Sequence, residues 1–563
     1  MRRLRIPSLE KWVMLGTLVG VVSGLAGTLL TVGIEVIAEL FAEYSGIDLI
    51  KGEVSEPSLV LPLLVALGGL ASGLLTYMFA PEAEGHGTDS VLEAFHWRGA
   101  FIRPRVPLVK LAASSALIGL GGSAGKEGPI ALIGAGFGSV LADILHLTRN
   151  ERRLLVLAGV AGGISAVFRA PLGAMLFALE VPYKRDMEVE AILPLGVASI
   201  VAYVASVTIL GSGRLLWLPE VGLQSSLELV LYAVLGIVAG LVAKVYVRLF
   251  YEIRDAFKVL PIPVMLKPAL GGLVAGFIGL LLPHTLGQGY PFLERALLGK
   301  LALPVIVAAI IGKMLTNAFS IASGGSGGVF APSLFIGGML GAAFAQLYTD
   351  NPATIASFSV VGMAAFFAAA GKVPFTSIII VSEITRGYEL IVPSVVAVTL
   401  SYVVSGQDSI YEKQVNTRAD SPYFLRELGE RLLRQIKVRD IMTRSVVVVR
   451  PDDPLKRVIE LTAETHHTGF PVVVDGRVVG MITLSDVLRY RHSELGKVKV
   501  KEAMTRSVIA VLPDDSLADA LRKMLRYGIG RLPVVENYES MKLIGIITKK
   551  DIVRAYETIR SIP

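Results

Sequence analysis

Apolar residues gather into long blocks over most of this chain and break into short alternating runs towards its end. Six blocks, at 12–42, 59–80, 192–210, 227–249, 265–282 and 303–319, are long enough to cross a bilayer as single helices, which takes about 20 residues. Between them the sequence stays apolar but is cut by Gly and Pro, as in "GGSAGKEGPI" (121–130). Such pieces predict short or broken helices rather than simple spans. Near residue 412 the pattern changes. After "YEKQVNTRADSPYFLRELGERLLRQIK" charged positions multiply, and strand-like and helix-like runs alternate as in a soluble domain. The pattern predicts a mostly α membrane domain over 1–420, a linker over 421–436, and α/β soluble units over 437–495 and 498–558.

Composition agrees with that division. The 563 residues are 53% hydrophobic, and the 58 glycines point to close helix packing and interrupted helices. The formal charge is +7, and part of it is the leading "MRRLR", which by the positive-inside tendency puts the N-terminus in the cytoplasm. No basic stripe interleaved with aromatics appears, so nucleic acid is not an expected partner. With no cysteine, structural disulfides and thiolate metal sites are excluded. The seven histidines form no dedicated metal motif. The first apolar block is too long, and lacks the small-residue cleavage site, for a signal peptide.

Both parts of the chain repeat. In the membrane part, "GKEGPIALIG" (125–134) matches "GVFAPSLFIG" (328–337), and "APLGAMLFALE" (170–180) matches "VPFTSIIIVSE" (373–383). The offset is the same for both, since 328 − 125 = 203 and 374 − 171 = 203. The halves run over about 10–215 and 225–412. In the soluble part, "IMTRSVVVVRPDDPL" (441–455) matches "AMTRSVIAVLPDDSL" (503–517), and "GFPVVVDGRVVGMITLSDVLRY" (469–490) matches "RLPVVENYESMKLIGIITKKDIVRAY" (531–556). Each soluble unit reads strand, helix, strand, hairpin, strand, helix.

The interrupted membrane pieces carry the chemistry. Gly and Pro at their starts read as a tight turn into the first helical positions. A helix start presents unpaired N–H groups and the positive end of the dipole. Two such starts aimed at one midplane point make an anion site without a full positive charge. Duplicated membrane proteins place sites where the halves meet, so the pattern suggests anion transport. Whether the halves are parallel or inverted is open at this level. Gly328, Val329, Phe330 and Ala331 would offer main-chain N–H groups, with Phe330 as an apolar wall, or would simply pack a helix start.

Glu127 has two readings. Its carboxylate can sit in the anion path as a tethered competitor and swing away when protonated, or it can pair with Lys126 or cap a helix. Lys126 either concentrates anions at a pore mouth or is a solvated lysine. Glu180 and Glu383 end apolar runs at equivalent positions, which favours a structural role such as capping loop amides. Tyr411 is either an interfacial anchor or a hydroxyl donor to an anion.

At these residues the chain resembles the CLC family of chloride channels and proton-coupled chloride transporters, over essentially its whole length. "GKEGP", "GGVFAP" and "SIYEKQ" are similar to the family's G(K/R)EGP and GxFxP motifs and its pore-tyrosine region. The soluble pair resembles a tandem CBS module. The resemblance implies an inverted repeat of tilted, partly spanning helices, in a homodimer with a separate pore in each subunit and the CBS pair in the cytoplasm. Chloride is the implied substrate, and no cofactor is required. Carried over, Glu127 matches the external gating glutamate. The Gly125, Lys126, Glu127 and Gly128 segment, with that around Val329, Phe330 and Ala331, matches the main-chain donors, and Tyr411 matches the tyrosine at the central anion. "TLSD" (483–486) and "TKKD" (548–551) fit a T-x-x-D pattern, implying Thr483, Asp486, Thr548 and Asp551 as a site for ATP, ADP or AMP.

Two positions depart from the family. "GHGTD" (85–89) puts His86 where a serine usually contacts the central anion, leaving ion preference and the inner gate open: an imidazole can donate an N–H and, when protonated, favours anions and makes binding pH-dependent, or it simply faces loop water. Val181 follows Glu180 where coupled transporters usually have a proton-accepting glutamate; valine cannot relay a proton, which favours passive or weakly coupled conduction over Cl⁻/H⁺ exchange. Two other readings are weaker. A CBS-containing divalent-cation transporter would need several inward carboxylates. An enzyme would need a nucleophile–base set or a phosphate loop, and "GGSGG" (324–328) lacks the following Lys-Ser/Thr.

Overall fold

The computed structural model describes residues 8–560 except 214, 220 and 224, so "MRRLR" lies outside the described residues. The chain divides into two compact units, Met1–Tyr423 and Phe424–Pro563. In the first, eight helices among the described residues are long and apolar enough to cross a membrane. Six of them cover the apolar blocks seen in the sequence. The fourth block continues well past residue 249, as the helix Glu228–Val259.

Two further spans, Glu127–Ile144 and Pro352–Gly371, lie in stretches that Gly and Pro mark as short or broken helices in the sequence, although the second is as apolar as Leu303–Ala322. Pro352–Gly371 is 94% buried in protein, so its small side chains serve close packing rather than lipid contact. The helices Pro171–Glu180 and Pro374–Thr385, of 10 and 12 residues, rise only about 15–18 Å at 1.5 Å per residue and cannot span alone.

The halves are inverted. Gly125 and Gly328, equivalent in the repeat, pair in the antiparallel sense: each amide donates to the other's carbonyl, at 2.9 and 2.7 Å. Equivalent residues paired this way are related by a local two-fold axis, and the helices that follow, Glu127–Ile144 and Phe330–Gln346, run in opposite directions.

The same symmetry recurs in buried contacts. Glu180 accepts from the amides of Phe375 and Thr376 at 3.1 and 2.8 Å; Glu383 accepts from Leu172 and Gly173, the equivalent positions, at 3.1 and 2.6 Å. Each acid thus caps a helix start in the other half. Lys110 holds the carbonyls of Ala83 and Gly85, while Lys313, its counterpart, holds those of Thr285 and Gly287. Ser123 donates to Thr285 O and Ser326 to Ala83 O.

Glycine is required where backbones touch. A Cβ on Gly134 would fall 2.0 Å from Gly159 O, and one on the equivalent Gly337 would fall 2.5 Å from Gly362 O.

The second unit holds two antiparallel hairpins, Gly469–Val474 with Arg477–Thr483 and Arg531–Val535 with Leu543–Thr548. Both shift register at equivalent places, Val472/Val473 and Val534/Val535. The leading strand expected for each repeat does not form a ladder. Thr443 bridges Ile546 of the second hairpin, whereas Val449 bridges Val472 of the first. Thr505 likewise bridges Met481, and Val511 bridges Val534. A segment that changes partner within six residues has no room for a continuous ladder, and the exchange interlocks the two repeats. Behind each hairpin lies its own core, with Leu455, Val458, Phe470 and Ile482 in one and Leu517, Met524, Leu532 and Ile547 in the other.

Candidate functional site

The Gly125–Gly328 bridge sets two helix starts against one another at the centre of the membrane unit. Lys126 and Val329 occupy the N-cap positions, and neither side chain caps its helix. The first-turn amides of Glu127, Gly128, Phe330 and Ala331 therefore gain no partner from their own cap residues. Gly125 and Gly328 are a correction to the sequence reading. Their amides bond to each other, so they close the bridge instead of offering donors to an anion.

Glu127 is buried, 1% exposed, at the first position of its helix. Its Oε1 accepts from the Tyr290 hydroxyl at 2.8 Å, and its Oε2 has no hydrogen-bond partner. An ideal Cβ on Gly125 would fall 1.9 Å from Oε2 and 3.1 Å from Ala331 N. The carboxylate thus lies over the gap between the two helix starts, where only glycine leaves it room. Among the described residues no ion pair joins it to Lys126. The Lys126 ammonium instead donates to Thr31 Oγ1 at 3.3 Å.

Two cavities that share no lining residue flank this point. One, of about 400 Å³, is lined by Lys126, Tyr290, Gln288, Arg169 and Glu35 among others. The other, of about 460 Å³, is lined by His86, Asp89, Glu84, Arg254 and Lys413 among others. They are repeat equivalents, since "GHGTD" (85–89) and "GQGYP" (287–291) line one each. Noticing that match would have brought Tyr290 into the candidate set, where it takes the place of Thr88. Lys110 and Lys313 could have been found in the same way.

Aromatic rings fill the space beside the helix starts. Phe330 packs against Phe367, Phe168 and Phe177, with centroids 4.1, 4.7 and 6.1 Å away. Tyr411 is buried, 6.2 Å from Phe177 and 5.5 Å from the His86 ring. The His86 carbonyl lies directly beside Gly128, where a Cβ would fall 2.0 Å from it. Val181 is buried and apolar, with its carbonyl accepting from Gln414 Nε2 at 3.0 Å. Glu180 and Glu383 are engaged with helix-start amides and stand apart from the cavities.

In the soluble unit, both T-x-x-D sequences close on themselves. Asp486 Oδ2 accepts from the Thr483 amide and hydroxyl at 3.0 and 2.7 Å, and Asp551 Oδ2 from those of Thr548 at 2.8 and 2.7 Å. Each pair caps the helix that follows its hairpin.

An inverted pair of membrane half-domains, with facing helix starts and a carboxylate between them, defines a duplicated membrane protein with a polar centre where its halves meet. Comparison with known proteins identifies the family. The model for the voltage gated chloride channel family matches residues 68–406, and that for the CBS domain matches 438–493 and 500–558. The chain belongs to this chloride channel (CLC) family and carries two CBS domains.

The chain is similar to the H(+)/Cl(-) exchange transporter ClcA of Vibrio vulnificus, with 30% identity over 420 residues covering 70% of this chain and 86% of the relative. Chloride channel protein CLC-f of Arabidopsis thaliana is 28% identical over 534 residues, covering 79% of this chain and 68% of that protein. A solved slow cyanobacterial Cl⁻/H⁺ antiporter shares the fold with a TM-score of 0.64 at 24% identity, over 71% of this chain and 96% of the antiporter.

Proposed function

We propose that the protein conducts chloride across a membrane through a separate pore in each subunit of a homodimer, and that Glu127 is the gate. The observation that carries this reading is the position of the Glu127 carboxylate. It covers two uncapped helix starts, one oxygen held by Tyr290 and the other without a hydrogen-bond partner. A carboxylate there occupies the place an anion would take. Protonated, it loses its attraction for the amides and yields the site. Lys126, Glu127, Gly128, Val329, Phe330 and Ala331 then surround the anion, and Tyr411 and His86 stand on the side of the second cavity.

Passive or weakly coupled conduction is the favoured mode. Val181 offers no titratable group where exchangers of this family usually have a glutamate. Coupled Cl⁻/H⁺ exchange is the second reading, favoured by relatives that carry that name. The CBS pair is read as a cytoplasmic regulator that takes ATP, ADP or AMP, with Asp486 and Asp551 at the ribose. Their bonds to Thr483 and Thr548 run through Oδ2, which leaves each Oδ1 for a ligand.

Reconstitution in liposomes, with chloride flux and proton movement recorded together, tests the reading. Glu127→Gln imitates the protonated gate and is expected to raise chloride flux several-fold while abolishing any linked proton movement. Flux equal to wild type across the pH range would remove Glu127 from the gate. Uphill proton transport by the wild-type protein at a fixed ratio to chloride would replace the passive mode with exchange. Calorimetric nucleotide affinity that is unchanged in both Asp486→Ala and Asp551→Ala would remove these residues from a nucleotide site.

A further inference from the structure

His86 begins the turn into the helix Thr88–Trp97, and its ring is held on one side only. Nε2 lies 3.2 Å from Asp89 Oδ2, while Asp89 Oδ1 accepts the Lys413 amide at 3.0 Å. The residue is 6% exposed, and its Nδ1 is buried without a hydrogen-bond partner. The ring stands edge-on to Tyr411, and its own backbone carbonyl abuts Gly128. It therefore sits between the second cavity and the start of the Glu127 helix.

The Asp89 contact decides what Nδ1 can do. The carboxylate 3.2 Å from Nε2 can only accept, so its negative charge favours the ring hydrogen on Nε2. The neutral ring then presents a lone pair at Nδ1, which repels an anion. A second proton turns Nδ1 into a donor carrying positive charge. We propose that His86 is an anion ligand that acts only when doubly protonated, so that anion occupancy at this end of the path and proton uptake are linked. Asp89 is the positioning residue that enforces the link by fixing the tautomer. This rests on the anion-path reading above, and it requires no proton to cross the membrane.

Groups of both signs line the cavity that His86 also lines. Glu82, Glu84 and Glu93 line the same cavity as Asp89, with Glu82 paired to Arg103 and Glu93 to Arg98. Arg98, Arg254 and Lys413 oppose them there and favour the arrival of anions. Lys110 approaches from behind Gly87, its ammonium already bound to the Ala83 and Gly85 carbonyls. Tyr251 lines the cavity, Tyr411 meets the ring, and Glu127 lies beyond Gly128. Glu127 is the other proton-dependent group on the path, so a test must first remove its titration.

The test is calorimetric chloride binding to the full-length Glu127→Gln protein in detergent, between about pH 5.5 and 8. Affinity is expected to fall at least about tenfold as pH rises. Adding His86→Ser should make affinity independent of pH. Adding Asp89→Asn instead should keep tight binding at the alkaline end, because an amide donates to Nε2 and sends the neutral ring's hydrogen to Nδ1. Nitrogen NMR shifts of His86 should report that tautomer change directly, which a purely structural role for Asp89 would not produce. Affinity independent of pH in the Glu127→Gln protein, or pH dependence that survives His86→Ser, overturns the proposal. An absence of chloride binding at every pH would defeat the anion-path reading itself.

Discussion

The membrane unit and the soluble unit are both internal duplications, yet they use symmetry differently. In the membrane unit the copies are inverted and meet at buried polar contacts made twice: Lys110 and Lys313 on loop carbonyls, Glu180 and Glu383 on helix starts. Function enters where the copies differ. Glu127 stands opposite Phe330, Tyr290 opposite Thr88, and His86 opposite Gln288. In the soluble unit the copies trade leading segments, and the paired T-x-x-D sequences remain alike in sequence and geometry. Symmetric contacts build the scaffold, and only a broken equivalence gives a site its direction.

The largest effects should come from the buried lysines. Lys110→Met and Lys313→Met each leave two carbonyls without their ammonium, an expected loss of about 4 kcal/mol. Thermal unfolding in detergent should show both losses equal to within about 1 kcal/mol. A large inequality would mean that the halves are not equivalent scaffolds.

The acids sharpen this further. Glu180→Ala abandons two amides and the Thr376 hydroxyl, and should cost about 3 kcal/mol. Glu383→Ala abandons only two amides and should cost about 2 kcal/mol. Neither change should alter the pH dependence of chloride flux; if one does, that glutamate belongs to the ion path.

In the soluble unit, Thr443→Pro and Thr505→Pro each delete one amide of a reciprocal pair, with Ile546 and with Met481. Each should destabilise both hairpins together by about 2 kcal/mol, seen as one shifted unfolding transition of the CBS pair. Two separate transitions would show that the repeats are not interlocked. The smallest effect, about 1 kcal/mol, is expected for loss of either helix cap in Asp486→Ala and Asp551→Ala.

Much of this was legible along the chain. Six spans were readable because their apolar runs are long enough to cross a bilayer, and the duplications because Gly, Pro and Glu recur at a fixed offset. The spans Glu127–Ile144 and Pro352–Gly371 were not, because Gly and Pro within and beside them read locally as breaks, and only the fold shows the helix running through or starting at them. Tyr290 was overlooked because nothing local marks it; it matters only once Gly289, at φ 90°, turns it towards Glu127.

By itself the sequence determined a duplicated membrane domain followed by a duplicated soluble one, and picked out Glu127 as the acid without a counterpart. Those are properties of composition and spacing, which survive without coordinates. Tertiary structure alone decided that the halves are inverted, that Gly125 and Gly328 close a bridge rather than offer donors, and that the Glu127 carboxylate takes the Tyr290 hydroxyl. Each of these depends on which hydrogen-bonding group meets which across 163 residues or more of chain, and a buried polar group has its chemistry set by that partner rather than by its neighbours in the chain.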